Sequence, residues 1–267
     1  MWLVVASVPL LPALLLVASS RCRVKVAALG RVALRLLLRR GAGGGRVCVR
    51  STHSFVFSQC THGKAHSVLS TFDLYADTHP SLCIGPQTGE ALDEAVARAR
   101  PSRVLELGTH CGYSSVRMLR LLPPGGRLVT VELDPLTAEL GEELILVAGF
   151  KHHQFQVLTS SSAEAIPALR SSLELDPGPG EGLDLVLMDH DPERYLPDLL
   201  ALEREELLCP SGCSVLLIHR NQGAGERGGL GGLLAHVRAR PGRYSVESER
   251  SAMTEIVYRK ERSTKGE

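Results

Sequence analysis

The chain of 267 residues is long enough for one sizeable domain with an appendage and short for two full domains. Hydrophobic residues make up 44%, which excludes an intrinsically disordered chain, and the 30 basic residues nearly balance the 29 acidic ones. This balance, with an aromatic content of 4%, argues against a nucleic-acid-binding protein. The 7 cysteines form no CxxC pair, which favours reduced, cytosol-facing thiols over a disulfide framework or a structural zinc site.

The N-terminal segment differs in character from the rest of the chain. Met1–Ser20 contains no charged residue and has the length that a helix needs to cross a bilayer, and basic residues follow it from Arg21 to Arg40. Because this positive flank comes after the apolar run, the pattern favours a single-pass membrane anchor with the following domain in the cytosol. The alternatives are a cleaved signal peptide and a helix that lies on the membrane surface. We expect this anchor to lie in the membrane of the endoplasmic reticulum or in the plasma membrane.

Composition divides the chain into four parts. They are an anchor at 1–20, a basic juxtamembrane helix with a glycine-rich linker at 21–51, a folded domain at 52–259 and a charged tail at 260–267. In the folded domain, short β-rich runs alternate with longer helical stretches, and several strand candidates are nearly continuous hydrophobic runs. This pattern predicts an α/β fold with a doubly wound, mostly parallel, Rossmann-like sheet, and we expect the last strand to close one edge of it.

The elements are predicted as follows. The strand candidates are, in chain order, Arg103–Leu107, Arg127–Glu132, Gln156–Leu158, Leu183–Met188, Ser214–Ile218 and Glu255–Tyr258. The helix candidates are Gly89–Arg98, Ser114–Leu122, Leu136–Ala148, Ala163–Leu173, Tyr195–Leu207 and Leu233–Arg238. The glycine-rich segment Gly223–Gly232 is predicted to be a mobile loop.

The most informative feature is a glycine turn between a strand and a helix. Gly108 and Gly112 follow the first strand, where glycine permits a tight turn and the close approach of a ligand. The next strand ends in Glu132, and a carboxylate at that place can accept hydrogen bonds from both ribose hydroxyls of a nucleotide. The glycine turn and the acid together predict an adenosine-containing cofactor, and because no GxGxxG or Walker motif is present, this cofactor need not carry a pyrophosphate. The alternative is a structural turn followed by a solvated strand end.

Five segments resemble the catechol O-methyltransferase family, and the apolar N-terminal run with the basic residues after it resembles the membrane-anchored branch of that family. The segments are Glu106–Met118, Val131–Pro135, Asp189–His190, Arg194–Asp198 and Leu234–Arg238. The resemblance covers about residues 52–258 and implies a fold and a cofactor, namely the methyltransferase fold and S-adenosylmethionine. It also implies methyl transfer to a small catechol-like hydroxyl compound.

The resemblance implies a set of cofactor-binding positions in this chain. Gly108, His110 and Ser114 fall on the methionine and ribose side, Glu132 on the ribose acid, Ile84 and Gly85 on the segment that closes over the cofactor, and Ser162 and His190 on the adenine side. His110 stands where the family usually has tyrosine, which is also a polar ring.

The catalytic positions depart from the family pattern. Asp189 matches the first metal ligand, but Pro192 stands at the position of the catalytic lysine and cannot accept a proton. His219 and Arg220 occupy the positions of the second pair of metal ligands, and arginine repels a divalent cation. Mg²⁺ is therefore not expected at an ordinary site, although Asp191, Asn221 through a one-residue bulge, or His219 with a softer metal offers other ligands.

Three functions stay open at this level. The first is an active O-methyltransferase with altered metal or substrate preference. The second is a catalytically degenerate pseudoenzyme that acts as a membrane-tethered partner of another protein. The third is an adenosine-cofactor binder of another reaction class.

Overall fold

The computed structural model of the protein describes residues 48–172, 181–219, 228–250 and 252–260. The predicted anchor, nearly all of the predicted linker and residues 261–267 of the tail lie outside these ranges, as do Arg220 and Asn221. Within the described ranges, no helix combines the length and the apolar character needed to cross a bilayer. The described helices and strands belong to one compact unit, Val47–Ala76 together with Ser81–Glu267.

The described residues form a seven-stranded sheet. Its strands are β1 (Arg103–Leu107), β2 (Arg127–Glu132), β3 (Phe155–Thr159), β4 (Leu185–Met188), β5 (Cys213–Ile218), β6 (Tyr244–Arg250) and β7 (Met253–Tyr258). The spatial order is β3-β2-β1-β4-β5-β7-β6. The first five strands pair in parallel, whereas β7 is antiparallel to both β5 and β6. The strand order reverses beside β1, which is where doubly wound sheets bind ligands.

The prediction that the last strand closes an edge of the sheet is wrong. The last strand, β7, does not close an edge, because it lies between β5 and the strand β6 that the sequence analysis missed. Only Tyr244 of β6 is buried, and the strand is otherwise polar, with Glu247, Glu249 and Arg250 exposed. A strand of that composition lacks the apolar alternation on which the prediction relied, whereas charged residues are common on edge strands.

Helices cover both faces of the sheet. They are α1 (Val49–Gln59), α2 (Ala65–Ala76), α3 (Gly85–Ala99), α4 (Tyr113–Leu119), α5 (Pro135–Val147), α6 (Ser162–Ser172), α7 (Tyr195–Arg204) and α8 (Gly228–Arg238). One buried cluster includes side chains of α6, α7 and α8, and the other includes side chains of α1 to α5. The side chains of β1 alternate between these clusters, since Val104 belongs to the second and Leu105 and Leu107 to the first.

The glycine-rich segment is a second correction. The predicted loop overlaps α8, which begins at Gly228 and therefore includes the last five residues of that prediction; the earlier residues, 223–227, lie outside the described ranges. Glycine has a low helix propensity, but tertiary packing overrides it here. A Cβ atom on Gly229 would lie 1.9 Å from the carbonyl oxygen of Pro192, so only glycine permits this contact.

Candidate functional site

A cleft of about 640 Å³ opens where β1, β2 and β4 end. Open α/β sheets bind their ligands at this edge. The lining residues come from the strand ends and from the loops that follow them: Leu82, Leu107, Gly108, His110, Val131, Glu132, Leu133, Ser160, Ser161, Ser162, Ala163, Asp189, His190, Asp191 and Arg194.

The turn after β1 forms one wall of the cleft, and its first glycine is required by the protein's own packing. Gly108 has φ +100°, and a Cβ atom there would lie 2.5 Å from the carbonyl oxygen of Asp189. Its N–H donates to the carbonyl of Val131 at 2.9 Å, so the turn is fixed to β2 as well. The sequence analysis explained this glycine by a ligand, whereas the close approach of the β4 end is sufficient.

The rest of the turn is held in an uncommon backbone conformation. His110 has φ +47° and Gly112, which precedes α4, has φ +81°. Behind the turn, α5 presents Gly141, where a Cβ atom would lie 2.5 Å from the carbonyl oxygen of His110. Non-glycine residues rarely adopt positive φ, so the backbone conformation of His110 needs support from its surroundings. The close packing of its carbonyl against Gly141 provides this support.

Glu132, at the end of β2, presents an oriented carboxylate to the cleft. One carboxylate oxygen accepts the backbone N–H of His110 at 2.9 Å, and the other accepts the backbone N–H of Asp134 at 3.2 Å. Asp134 is itself fixed as the N-cap of α5, because its side chain accepts the N–H of Thr137 at 2.8 Å. A carboxylate offers about four acceptor positions, so both oxygens of Glu132 keep one for a ligand.

A second carboxylate lies beneath the turn and is fully enclosed. Glu106 of β1 has no exposed surface, and its two oxygens accept hydrogen bonds from the hydroxyls of Ser114 and Ser115 at the start of α4. Burial raises the pKa of Glu106 to about 7, against the opposing effect of the two serine hydroxyls. Glu106 therefore links the first strand to α4, and Ser114 is occupied by this contact.

The opposite wall of the cleft contains a histidine held by a buried aspartate. The His190 Nε2 lies 2.8 Å from Asp198 Oδ2, and the Asp198 side chain is 2% exposed. Arg194 Nη2 lies 3.7 Å from the other oxygen of Asp198. Because Asp198 accepts at Nε2, it favours the His190 tautomer that carries the proton on that nitrogen. Nδ1 is then the acceptor nitrogen, and it has no hydrogen-bond partner among the described residues.

The segment after Asp189 forms a short 3₁₀ turn, and it contains the position at which the family has its catalytic lysine. Pro192 is the first residue of this turn, Pro192–Arg194, and the side chain of Asp191 caps it by accepting the N–H of Glu193 at 3.1 Å. Proline at the first position of a helical turn costs no hydrogen bond, which explains why the chain tolerates it. This position therefore supplies no side chain that can take a proton.

The end of β5 also differs from a carboxylate-rich metal site. The ring Nε2 of His219 lies 3.1 Å from Thr254 Oγ1, and burial lowers the pKa of His219. In the part of the chain that the structure describes, no group of three or more His, Cys, Asp or Glu side chains is arranged to hold a metal ion. Asp189 and His219 alone do not supply the six oxygen ligands that Mg²⁺ prefers.

The structure brings together only part of the predicted set. Among the predicted cofactor and metal residues, those that line the cleft are Gly108, His110, Glu132, Ser162, Asp189, His190 and Asp191. Ile84, Gly85, Ser114 and the metal candidate His219 do not line it. Ile84 and Gly85 form the start of α3, two and three residues after the lining residue Leu82.

Several lining residues were missed by the sequence analysis. Leu133, Ser160 and Ser161 directly follow the ends of β2 and β3, so the rule that residues after parallel strands form the site could have found them. Arg194 stands in a segment of family resemblance but carried no prediction. No sequence signal marks Leu82.

Comparison with known proteins identifies the family of the chain and agrees with its fold. The O-methyltransferase family model matches residues 66–200. The transmembrane O-methyltransferase of Homo sapiens is 41% identical over 190 residues, which is 71% of this chain and 63% of that protein. The chain belongs to the O-methyltransferase family. The catechol O-methyltransferase of Mus musculus, a further relative, is 40% identical over 147 residues, covering 55% of this chain and 53% of that protein. The chain thus matches less than two thirds of the length of these relatives.

Solved O-methyltransferases share the fold at lower sequence identity. An enzyme of tomaymycin synthesis from Streptomyces achromogenes, solved in complex with SAM, has a TM-score of 0.58 and 20% identity, covering 78% of this chain and 96% of its own. An enzyme from Bacillus cereus, solved in complex with SAH, has a TM-score of 0.54 and 20% identity, covering 78% and 89%. These similarities support the Rossmann-like methyltransferase fold.

Proposed function

We propose that this chain is an S-adenosylmethionine-dependent O-methyltransferase that acts on a small catechol-like hydroxyl compound. The observation that carries the proposal is Glu132, a carboxylate fixed at the end of β2 by the backbone N–H groups of His110 and Asp134. It keeps free acceptor positions in the cleft, where the two hydroxyls of a ribose can donate to it. Two solved O-methyltransferases of the same fold contain SAM and SAH, respectively.

The charge of the cleft favours a cationic cofactor. Glu132, Asp189 and Asp191 contribute carboxylates to the lining, whereas the lining arginine, Arg194, faces the buried carboxylate of Asp198. S-adenosylmethionine carries a sulfonium and an ammonium group against one carboxylate. Its demethylated product has lost the sulfonium charge, so an acidic cleft holds the methyl donor more strongly than the product.

Each part of the cofactor has a proposed set of residues. We propose that Glu132 holds the ribose, that Ser162 and His190 contact the adenine side, and that Gly108 and His110 contact the methionine side. Ser114 belongs to the methionine side in this proposal, since its hydroxyl oxygen can still accept a hydrogen bond while it donates to Glu106. Ile84 and Gly85 close over the bound cofactor. The cofactor supplies an electrophilic methyl group, and the chain orients it at the edge of the sheet.

The residues at the positions that would activate the methyl acceptor favour a slow reaction. A catechol hydroxyl must lose its proton to attack the methyl group, and Pro192 replaces the lysine that would take this proton in the family. A general base contributes about 10²–10⁴-fold to the rate. We therefore propose methyl transfer that is slow and weakly dependent on magnesium, with a metal or substrate preference different from that of an ordinary catechol enzyme.

A rate comparison tests the proposal. The triple variant Pro192→Lys, His219→Asp, Arg220→Asn restores the family residues, and we expect it to transfer labelled methyl groups to a catechol faster than the wild type and to lose that rate when a chelator is added. A wild type that turns over quickly and is inhibited by the chelator would contradict the altered-site proposal. Cofactor binding without transfer in either protein would favour the pseudoenzyme that tethers a partner protein.

We also propose that Met1–Ser20 anchors the chain in the endoplasmic reticulum or plasma membrane, with the domain in the cytosol. The support is the basic flank after the apolar run and the similarity to proteins named transmembrane O-methyltransferase. Protease treatment of sealed microsomes is the test. We expect the domain to be digested, and a protected domain would overturn this topology.

A further inference from the structure

An arginine is buried where three helices of the domain meet. Arg117 of α4 is 8% exposed, and its guanidinium carbon lies 5.4 Å from the centre of the Tyr113 ring. Its Nη2 lies 3.5 Å from Asp93 of α3. Its other two nitrogens, Nε and Nη1, have no hydrogen-bond partner among the described residues. Arg117 is therefore a buried charge with one distant ion pair and a cation–π contact.

The backbone of α3 fits around this guanidinium. A Cβ atom on Gly89 would lie 1.8 Å from Arg117 Nη1, so α3 can approach α4 this closely only because residue 89 is glycine. The ring of Tyr113, on which the guanidinium lies, donates its hydroxyl to Asp73 of α2 at 2.8 Å. Arg117 thus occupies the junction of α2, α3 and α4.

The contacts of Arg117 compensate for only part of the free energy that is needed to remove its charge from water. A buried charge stabilises a fold only when hydrogen bonds replace most of its lost hydration, and two of the three guanidinium nitrogens here lack such bonds. The geometric consequence is larger, because the contact fixes the distance between two helix starts. Gly85 begins α3 and Tyr113 begins α4, so the starts of both helices stand next to the proposed cofactor contacts at Ile84, Gly85 and Ser114.

We infer that Arg117 is a positioning residue that sets the spacing between the starts of α3 and α4 and thereby the fit of the cofactor. This inference rests on the proposed function. Arg117 does not line the cleft and does not touch the proposed ligand, so it acts through the backbone of α3 at Gly89 and through Tyr113.

Calorimetric titration of S-adenosylmethionine into the full chain tests the inference. We expect Arg117→Met to raise the dissociation constant by about five- to tenfold, a coupling within the range measured for buried contacts. Arg120→Met is the matched control, because Arg120 donates to the same carboxylate of Asp93 from a more exposed position, whereas the three atoms nearest to a Cβ on Gly89 all belong to Arg117. We expect this control to bind like the wild type.

A second control separates positioning from stability. Tyr244 at the start of β6 is buried and donates to Glu203, and it pairs in the sheet with Tyr258 at the amino end of the parallel strands, away from the cleft. Tyr244→Phe should lower the melting temperature and leave the dissociation constant unchanged. Arg117→Lys retains the charge without the planar guanidinium, and we expect intermediate binding from it even if Arg117→Met fails to fold.

The outcomes separate this inference from the proposed function. If the wild type binds and both Arg117→Met and Arg117→Lys bind as tightly, Arg117 does not position the cofactor and only this inference falls. If Arg120→Met or Tyr244→Phe weakens binding as much as Arg117→Met does, the effect is one of charge or stability and the inference is also wrong. A wild type that does not bind overturns the proposed function and this inference together.

Discussion

Glu106 is the fourth of the five residues of β1 and has no exposed surface, and burial raises its pKa to about 7. Its position is fixed by the hydroxyls of Ser114 and Ser115, so it connects the sheet to the helix that follows the turn. The sequence analysis quoted Glu106 as part of a motif but gave it no separate role. Its burial could not be read from the sequence, because an acidic residue in a strand is usually exposed.

The raised pKa of Glu106 predicts a pH-dependent stability. Its pKa changes from 4.5 in the unfolded chain to about 7 in the folded one, so folding takes up a proton between these values. The contribution of Glu106 is fully present below about pH 4.5 and is lost as the pH rises to about 7. Urea unfolding at several pH values should show that the wild type loses stability over this window relative to Glu106→Gln. Parallel pH profiles of the two proteins would disprove the shift.

Pro192 shows what residue-level reasoning can and cannot provide. The absence of a proton acceptor at this position follows from the sequence alone, since proline has no basic side chain. The contact between the carbonyl oxygen of Pro192 and Gly229 does not follow from the sequence, because these residues are far apart in the chain and meet only in the folded protein. Long-range backbone contacts of this kind leave no local pattern.

At the scale of elements, α8 depends on a glycine that its propensity disfavours. A Cβ atom on Gly229 would meet the backbone of Pro192, whereas on Gly231 of the same helix it would meet no atom within 4 Å. We expect Gly229→Ala to lower the free energy of unfolding by about 1–3 kcal/mol through overpacking. We expect Gly231→Ala to raise it by about 0.5–1 kcal/mol through helix propensity. Equal effects of the two variants in urea unfolding would disprove the packing of α8 against the 3₁₀ turn.

The elements differ in how far the sequence predicts them. β1 and β2 were predicted with the bounds that the structure shows, because both are hydrophobic runs buried on two faces. The predicted strand Leu183–Met188 is shortened to β4, and Leu183 forms an isolated bridge with Leu208. β6 was missed because it is a polar edge strand. Hydrophobic periodicity therefore predicts the centre of this sheet better than its edge.

At the scale of the whole molecule, the sequence predicts the parallel sheet with a ligand site at its carboxyl edge. Family membership now stands on a family model and on relatives about 40% identical. The cleft itself could not be derived in full, because Leu82 and Arg194 reach it through loop and helix geometry rather than through a motif. The placement of Ile84, Gly85 and Ser114 outside the lining likewise depends on how α3 and α4 pack.

Calorimetry measures directly the binding of S-adenosylmethionine that we propose for this cleft through Glu132. We expect the wild type to bind the cofactor and Glu132→Ala to lose about 2–4 kcal/mol of binding free energy, since two charge-assisted hydrogen bonds to the ribose are removed. Glu139→Gln is the control, because it removes the charge of an exposed glutamate on α5 that does not line the cleft. It should bind like the wild type. Undetectable binding by the wild type would contradict the proposed cofactor, and equal affinity of Glu132→Ala and the wild type would contradict the proposed role of Glu132.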